Sequence, residues 1–182
     1  MLRPNRRFTR KSIAVVSLAV LFSLSSIVFG QKAAAGPVEF SLRSITGQTI
    51  TSESLRGEVV VLAFGASWLP LSRTQLKGVK KLADDYSDRG VVVYWVSTES
   101  ENPKSKNYAT DEQLRNFVQK YGLDVTVLRD PEGTLSKKLG ADELPSVVIL
   151  DKQGNPVGEP IKGLDPEGNL AGQLAKQLDK IL

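Results

Sequence analysis

Hydroxyls, amines and carboxylates are the reactive side chains available to this chain, because its 182 residues include no cysteine and no histidine. That composition excludes disulfides, thiolate nucleophiles, cysteine or histidine metal sites and imidazole acid–base catalysis. Ser72 could act as a nucleophile only beside an activating base, and nothing in the sequence places a lysine there. A hydrogen-bonding role, as a helix cap or at the surface, is the expectation for it. Glu99 follows the apolar run Val91–Ser97 and reads as a solvated loop carboxylate. Asp151 to Asn155 has acidic groups too few and too irregularly spaced for a cation loop, and reads as a hairpin turn. No catalytic residue, metal site or cofactor is assigned.

The elements that position these residues follow from periodicity. Val38–Leu42 alternates like a short strand, and a turn at Gly47-Gln48 leads to Thr49-Ile50-Thr51. Glu58–Phe64 (EVVVLAF) and Val91–Ser97 (VVVYWVS) are continuous apolar runs rich in β-branched residues, as strands covered on both faces must be. Between them, Pro70–Tyr86 turns helical, with Leu76, Val79, Leu82, Ala83 and Tyr86 on one face. Ser100–Ala109 is polar and loop-like. Thr110 and Gln113 have capping-box spacing, opening a helix with Leu114, Phe117, Val118 and Tyr121 inward and Gly122 at its end. Val125–Leu128 and Ser146–Leu150 are further strands, and Pro156–Gly163 is an edge strand. Asp130-Pro131-Glu132-Gly133 and Asp165-Pro166-Glu167-Gly168 both read as helix starts. Leu170, Leu174, Leu178 and Ile181 give a closing helix its apolar stripe. Parallel strands joined by helices and finished by an antiparallel hairpin predict an α/β fold, a three-layer α/β/α sandwich on a mixed central sheet.

Charge divides the chain at its N-terminal end. Six of the 24 bases lie in residues 1–35, which hold no acid, so the remainder carries 18 bases against all 20 acids, a net charge of −2. The pI of about 9.3 therefore belongs to the N-terminal segment. The folded part lacks the basic footprint of a nucleic-acid-binding domain, and no nucleic-acid partner is expected. Arg3–Lys11 is basic, residues 12–30 form an uncharged run of nineteen, and Ala33-Ala34-Ala35 follows. This is the order of a secretory signal, with cleavage after Ala35 or Gly30. The competing reading is a retained anchor touching the membrane through residues 12–30, which five serines in that run weaken. Either way the domain of residues 36–182 is expected outside the cytoplasm, in the periplasm or its equivalent.

The segment Phe64-Gly65-Ala66-Ser67-Trp68-Leu69-Pro70-Leu71-Ser72-Arg73 resembles the active-site stretch of TlpA-like redoxins, exported relatives of thioredoxin, which read F-x-A-[ST]-W-C-P-x-C-[RK] after a buried strand. The resemblance covers most of residues 38–182, including Leu55–Val61 and Leu144-Pro145-Ser146-Val147-Val148-Ile149-Leu150-Asp151. It implies a thioredoxin-like fold and a cis peptide bond before Pro145. It also implies that Trp68, Leu69, Pro70, Leu71 and Ser72, with Leu144 and Pro145, form a groove where partner polypeptides dock. Some members carry an acid where Glu99 stands. Leu69 occupies the place of the nucleophilic cysteine and Ser72 that of the resolving one. A thiolate at a helix N-terminus is stabilised by unpaired N–H groups and the helix dipole, and leucine offers nothing to stabilise. The expectation is a degenerate, non-catalytic module that binds an envelope or membrane protein of unknown identity. The alternative is a thiol-disulfide oxidoreductase or peroxiredoxin-type relative working by a cysteine-free route or through a partner's thiol. If docking is the use of the groove, Trp68, Leu69, Leu71 and Leu144 are expected to be contiguous and partly exposed.

Overall fold

A computed structural model describes residues 36–163 and 169–182. The signal or anchor segment and the second Asp-Pro-Glu-Gly sequence fall outside the described residues. Seven strands form one sheet: β1 Ser41–Ser44, β2 Thr49–Thr51, β3 Val59–Gly65, β4 Val91–Ser97, β5 Val127–Arg129, β6 Ser146–Leu150 and β7 Ile161–Lys162. Among the described residues, four α-helices accompany them: α1 Pro70–Tyr86, α2 Asp111–Lys120, α3 Thr134–Lys138 and α4 Leu170–Leu178. The strand order is β2-β1-β5-β4-β3-β6-β7. β3, β4 and β5 run parallel, while β6 and β7 continue the sheet antiparallel on one side and β1 and β2 on the other.

Period-2 alternation explains why β3 is apolar throughout. Val59, Val61 and Ala63 point into a core shared with α1, α2 and α4, whereas Val60, Leu62 and Phe64 point into a second core closed by Leu135 and Leu139. The fold is thus the three-layer α/β arrangement the pattern predicts. The 17-residue helix α1 begins at Pro70, whose lost N–H would have been unpaired in the first turn anyway. The capping box of α2 forms as its spacing predicts, with Gln113 N–H donating to Thr110 Oγ1 at 3.1 Å and Thr110 N–H to Gln113 Oε1 at 2.8 Å.

Several local expectations need correction, beginning with the strand read over Val125–Leu128, which runs instead over Val127–Arg129. The first strand starts at Ser41 rather than Val38, because the Val38 amide is taken by the Gly154 carbonyl at 2.9 Å and not by a ladder partner. The edge strand over residues 156–163 shrinks to Ile161–Lys162, preceded by one bridge between Leu150 and Pro156. Asp130-Pro131-Glu132-Gly133 is a turn before α3, not its first turn: α3 opens at Thr134 after Gly133, whose φ of 63° suits a residue without Cβ. Asp130 still serves that helix from below, accepting from the amides of Leu135 at 3.1 Å and Ser136 at 2.8 Å.

Candidate functional site

Three chain segments meet where β3 ends. Gly65 pairs with Ser97 of β4 in register, and Phe64 pairs with Ser146 of β6, so the residues after Ser97 and before Ser146 flank the turn that leads into α1. The Leu144–Pro145 peptide is cis, as the resemblance implies. The turn itself is tight: Leu69 N–H donates to Ala66 C=O at 3.1 Å and Ser72 N–H to Leu69 C=O at 3.0 Å. Leu69 is the N-cap of α1 in extended geometry with no side-chain cap, and Ser72 lies inside the first turn.

Polar groups packed underneath hold this turn. Ser72 is fully buried, and its Oγ accepts the Ala66 N–H at 3.1 Å. This corrects the expectation of a cap or surface hydroxyl, since the bond tethers the turn from within. Gln75, also fully buried, donates through Nε2 to the carbonyls of Phe64 at 3.1 Å and Ser146 at 3.2 Å, and its Oε1 accepts from Trp95 Nε1 at 3.2 Å. One amide thereby ties α1 to β3, β4 and β6. The crowding explains Gly65: a Cβ there would sit 2.8 Å from Gln75 Oε1 and 2.9 Å from both Ser72 Oγ and Trp95 Nε1.

Glu99 is the clearest departure from expectation. It is 1% exposed rather than solvated. Its carboxylate accepts from Ser67 N–H at 2.9 Å, Ser67 Oγ at 2.7 Å and Ser97 Oγ at 3.1 Å. The residue is buried because the turn folds over it, and its charge is met by donors that would otherwise be unpaired. Arg129, 2% exposed, continues the network by donating to the backbone carbonyls of Glu99 at 3.1 Å and Ala109 at 3.0 Å.

The upper side of the turn is apolar and open. Trp68 is 59% exposed and Leu71 51%. Pro70 is exposed too, while Leu69 and Leu144 are half-buried and Pro145 is buried. Trp68 is held by its indole N–H, which donates to Asn107 Oδ1 at 2.5 Å, and Asn107 is itself anchored to the Thr98 carbonyl at 3.1 Å. Asn107 and Leu144 line a common cleft of about 270 Å³. Trp68 is thus bonded to a residue that shares a cleft with Leu144, whereas Ser72 and Pro145 are buried. Sequence reasoning missed Gln75, Asn107 and Arg129. Gln75 stood at an inward helical position beside Leu76, three residues after Ser72, and a polar residue on an apolar face was the available signal.

Chemically the arrangement is a thioredoxin-like site with its scaffold complete and its thiols absent. The chain belongs to the AhpC/TSA family, whose sequence model matches residues 30–155. It is 28% identical over 116 residues to thioredoxin-like protein YneN of Bacillus subtilis strain 168, a match over 64% of each chain and so under two thirds of that relative. It is 26% identical over 137 residues to thiol-disulfide oxidoreductase ResA of Bacillus thuringiensis subsp. konkukian, covering 75% of this chain and 73% of ResA. The exposed lipoprotein thioredoxin Etrx1 of Streptococcus pneumoniae strain TIGR4 shares the fold, with a TM-score of 0.61, 24% identity and coverage of 76% of this chain and 99% of that one. The redoxin resemblance read from residues 64–73 is thus met at the level of family.

Proposed function

We propose that this protein is a non-catalytic thioredoxin-like binding or assembly module of the cell envelope that engages an envelope or membrane protein through Trp68, Leu69, Leu71 and Leu144. The carrying observation is that leucine and serine stand at the two positions where the family has its thiols, in a chain with no cysteine anywhere, while large apolar side chains stay in water on that turn. A thiolate is the nucleophile in both disulfide exchange and peroxide reduction, so neither reaction has a reagent here. Leaving a large apolar side chain in water forgoes roughly 1.5–3 kcal/mol of burial, which a surface without a use gains nothing by doing. The envelope location rests on the basic, apolar and small-residue order of residues 1–35, and it agrees with kinship to proteins described as thiol-disulfide oxidoreductases and, in one case of shared fold, as an exposed lipoprotein.

Two measurements test this reading. Purified protein should reduce neither insulin nor peroxide above a metal-free blank, and turnover above it would restore the oxidoreductase alternative. A photo-crosslinking residue placed at Leu71 in cells should yield a discrete adduct with one envelope protein. The same residue at exposed Lys120 on α2 should not. Equal adducts from both positions, or none from Leu71, would remove the docking face.

A further inference from the structure

A cavity of about 450 Å³, whose lining does not include Trp68, opens between β1 and the segment from Arg129 to Lys138. Half-buried Phe40 and Leu42 and buried Leu135 supply apolar wall, and Arg43, Glu101 and Arg129 supply charge. The same three charged residues line a second cleft of about 190 Å³, so they form the partition between the two. Arg129 is nearly spent. One terminal nitrogen donates to Asp111 Oδ1 at 3.2 Å and the other to the Glu99 and Ala109 carbonyls. Its Nε, however, is buried without a hydrogen-bond partner, and Glu101 Oε1 stands off at 3.8 Å. Buried donors of this kind are rare. The same Glu101 oxygen accepts from Arg43 at 2.5 Å, and Arg43 also binds Asp111 at 2.6 Å. Glu101 itself is 47% exposed in its side chain.

We propose that this cavity is a binding site for a small amphipathic monocarboxylate, whose carboxylate replaces that of Glu101 between Arg43 and Arg129 while its apolar body lies on Phe40, Leu42 and Leu135. The volume falls within the range of small-molecule pockets, about 300–1,000 Å³. Charge selects the class of ligand. Arg43 and Arg129 are balanced by Asp111 and Glu101, so a monoanion that displaces Glu101 keeps the group neutral, whereas an uncharged ligand leaves it with an excess positive charge. A dianion would add negative charge beside Glu39, Asp130 and Glu132, which also line the cavity. Of the remaining lining charges, Lys138 is engaged with the Glu39 carbonyl and Asp130 with the α3 amides. Displacement is easy, because an ion pair so open to water contributes little. The incoming carboxylate, unlike a side chain fixed at residue 101, is free to approach Nε within hydrogen-bonding distance.

The test is a titration of the full-length, ¹⁵N-labelled chain with hexanoate, using hexanamide as the uncharged control. Hexanoate should shift amides of residues 39–43 and 129–138 saturably, and hexanamide should not. Glu101→Ala removes the competing carboxylate and should tighten hexanoate binding on the order of tenfold. Arg43→Gln should weaken it comparably, with circular dichroism confirming that the variant is folded. Equal binding of hexanoate and hexanamide, affinity unchanged or lowered by Glu101→Ala, or shifts confined to the Trp68 and Leu144 surface would each overturn the proposal. Absence of any saturable shift in both the parent and Glu101→Ala would do the same.

Discussion

Beneath the turn from Ala66 to Leu69, Ser72, Gln75 and Glu99 are buried and hydrogen-bonded; above it, Trp68 and Leu71 stand more than half in water. Ser72 and Gln75 lie only a few residues from Trp68 and Leu71 in sequence, yet the two sides answer to opposite physical demands. Each polar atom underneath has lost its water and must keep its protein partner, so removal of one group strands several others. The apolar groups above keep more than half of their surface in water, so their removal should disturb the folded state little. Stability should therefore respond to the underside and contact with other molecules to the rim. A protein that has dispensed with its thiols can keep the first while turning the second to another use.

The largest expected effect comes from Glu99→Ala, which strands the Ser67 amide and two hydroxyls that now share a charged acceptor. It should lower unfolding free energy by about 3 kcal/mol in urea titrations, with Glu99→Gln recovering part of the loss because one carbonyl oxygen can still accept. A loss under a few tenths of a kcal/mol would mean that the turn is not supported from below. Gln75→Leu should follow at about 2 kcal/mol, since it fills the same space but removes the side-chain donor to the Phe64 and Ser146 carbonyls and leaves the buried Trp95 indole without its acceptor. If this swap proved neutral, the amide would be dispensable and the comparison between the two sides would lose half its content.

Why some of this was legible in sequence and some was not comes down to periodicity against tertiary pairing. β3, β4, α1 and α2 announce themselves through apolar spacing, Pro70 at a helix start and the Thr110–Gln113 box, all of which are local. The cysteine-free turn could be placed because its flanking residues Phe64, Ala66, Trp68 and Pro70 carry a recognisable order. Glu99 could not be read correctly. Its burial depends on Ser67 folding over it from 32 positions away, and a carboxylate after a strand looks solvated until that partner is known. Gln75, likewise, is polar in composition but internal because acceptors from β3 and β6 reach it. The edge strand read over Pro156–Gly163 keeps only Ile161–Lys162, because pairing with β6 and not composition sets its ends.

Replacing Leu69 and Ser72 together by cysteine probes both sides at once. Leu69 sits half-buried at the N-cap of α1 and Ser72 inside the first turn, so the pair should close a disulfide under mild oxidation and, when reduced, show a thiol at 69 with a pKa below that of free cysteine. The reduced variant should lose about 1 kcal/mol, because a thiol is a weaker acceptor than Ser72 Oγ for the buried Ala66 amide. A folded variant that neither oxidises nor shows a lowered thiol pKa would mean that the turn no longer has the geometry of a redox site.

The smallest stability change should come from the rim. Trp68→Ala removes a side chain that is 59% exposed and a single hydrogen bond to Asn107, and Leu71→Ala trims one that is 51% exposed. Surface substitutions of this kind usually fall within about 0.5 kcal/mol, whereas truncating a buried leucine costs about 2–5 kcal/mol through the cavity it leaves. Leu76→Ala, in the same helix but fully buried, supplies that reference within the one molecule. Urea midpoints for the three variants should separate cleanly, with Leu71→Ala near the parent and Leu76→Ala far below it. The partner adduct expected from the photo-crosslinker at Leu71 should, in turn, be lost when Trp68→Ala is combined with that probe, even though the protein stays folded. Were Leu71→Ala to cost as much as Leu76→Ala with crosslinking unchanged, the rim would belong to the core, and the turn would be a plugged scaffold rather than a docking face.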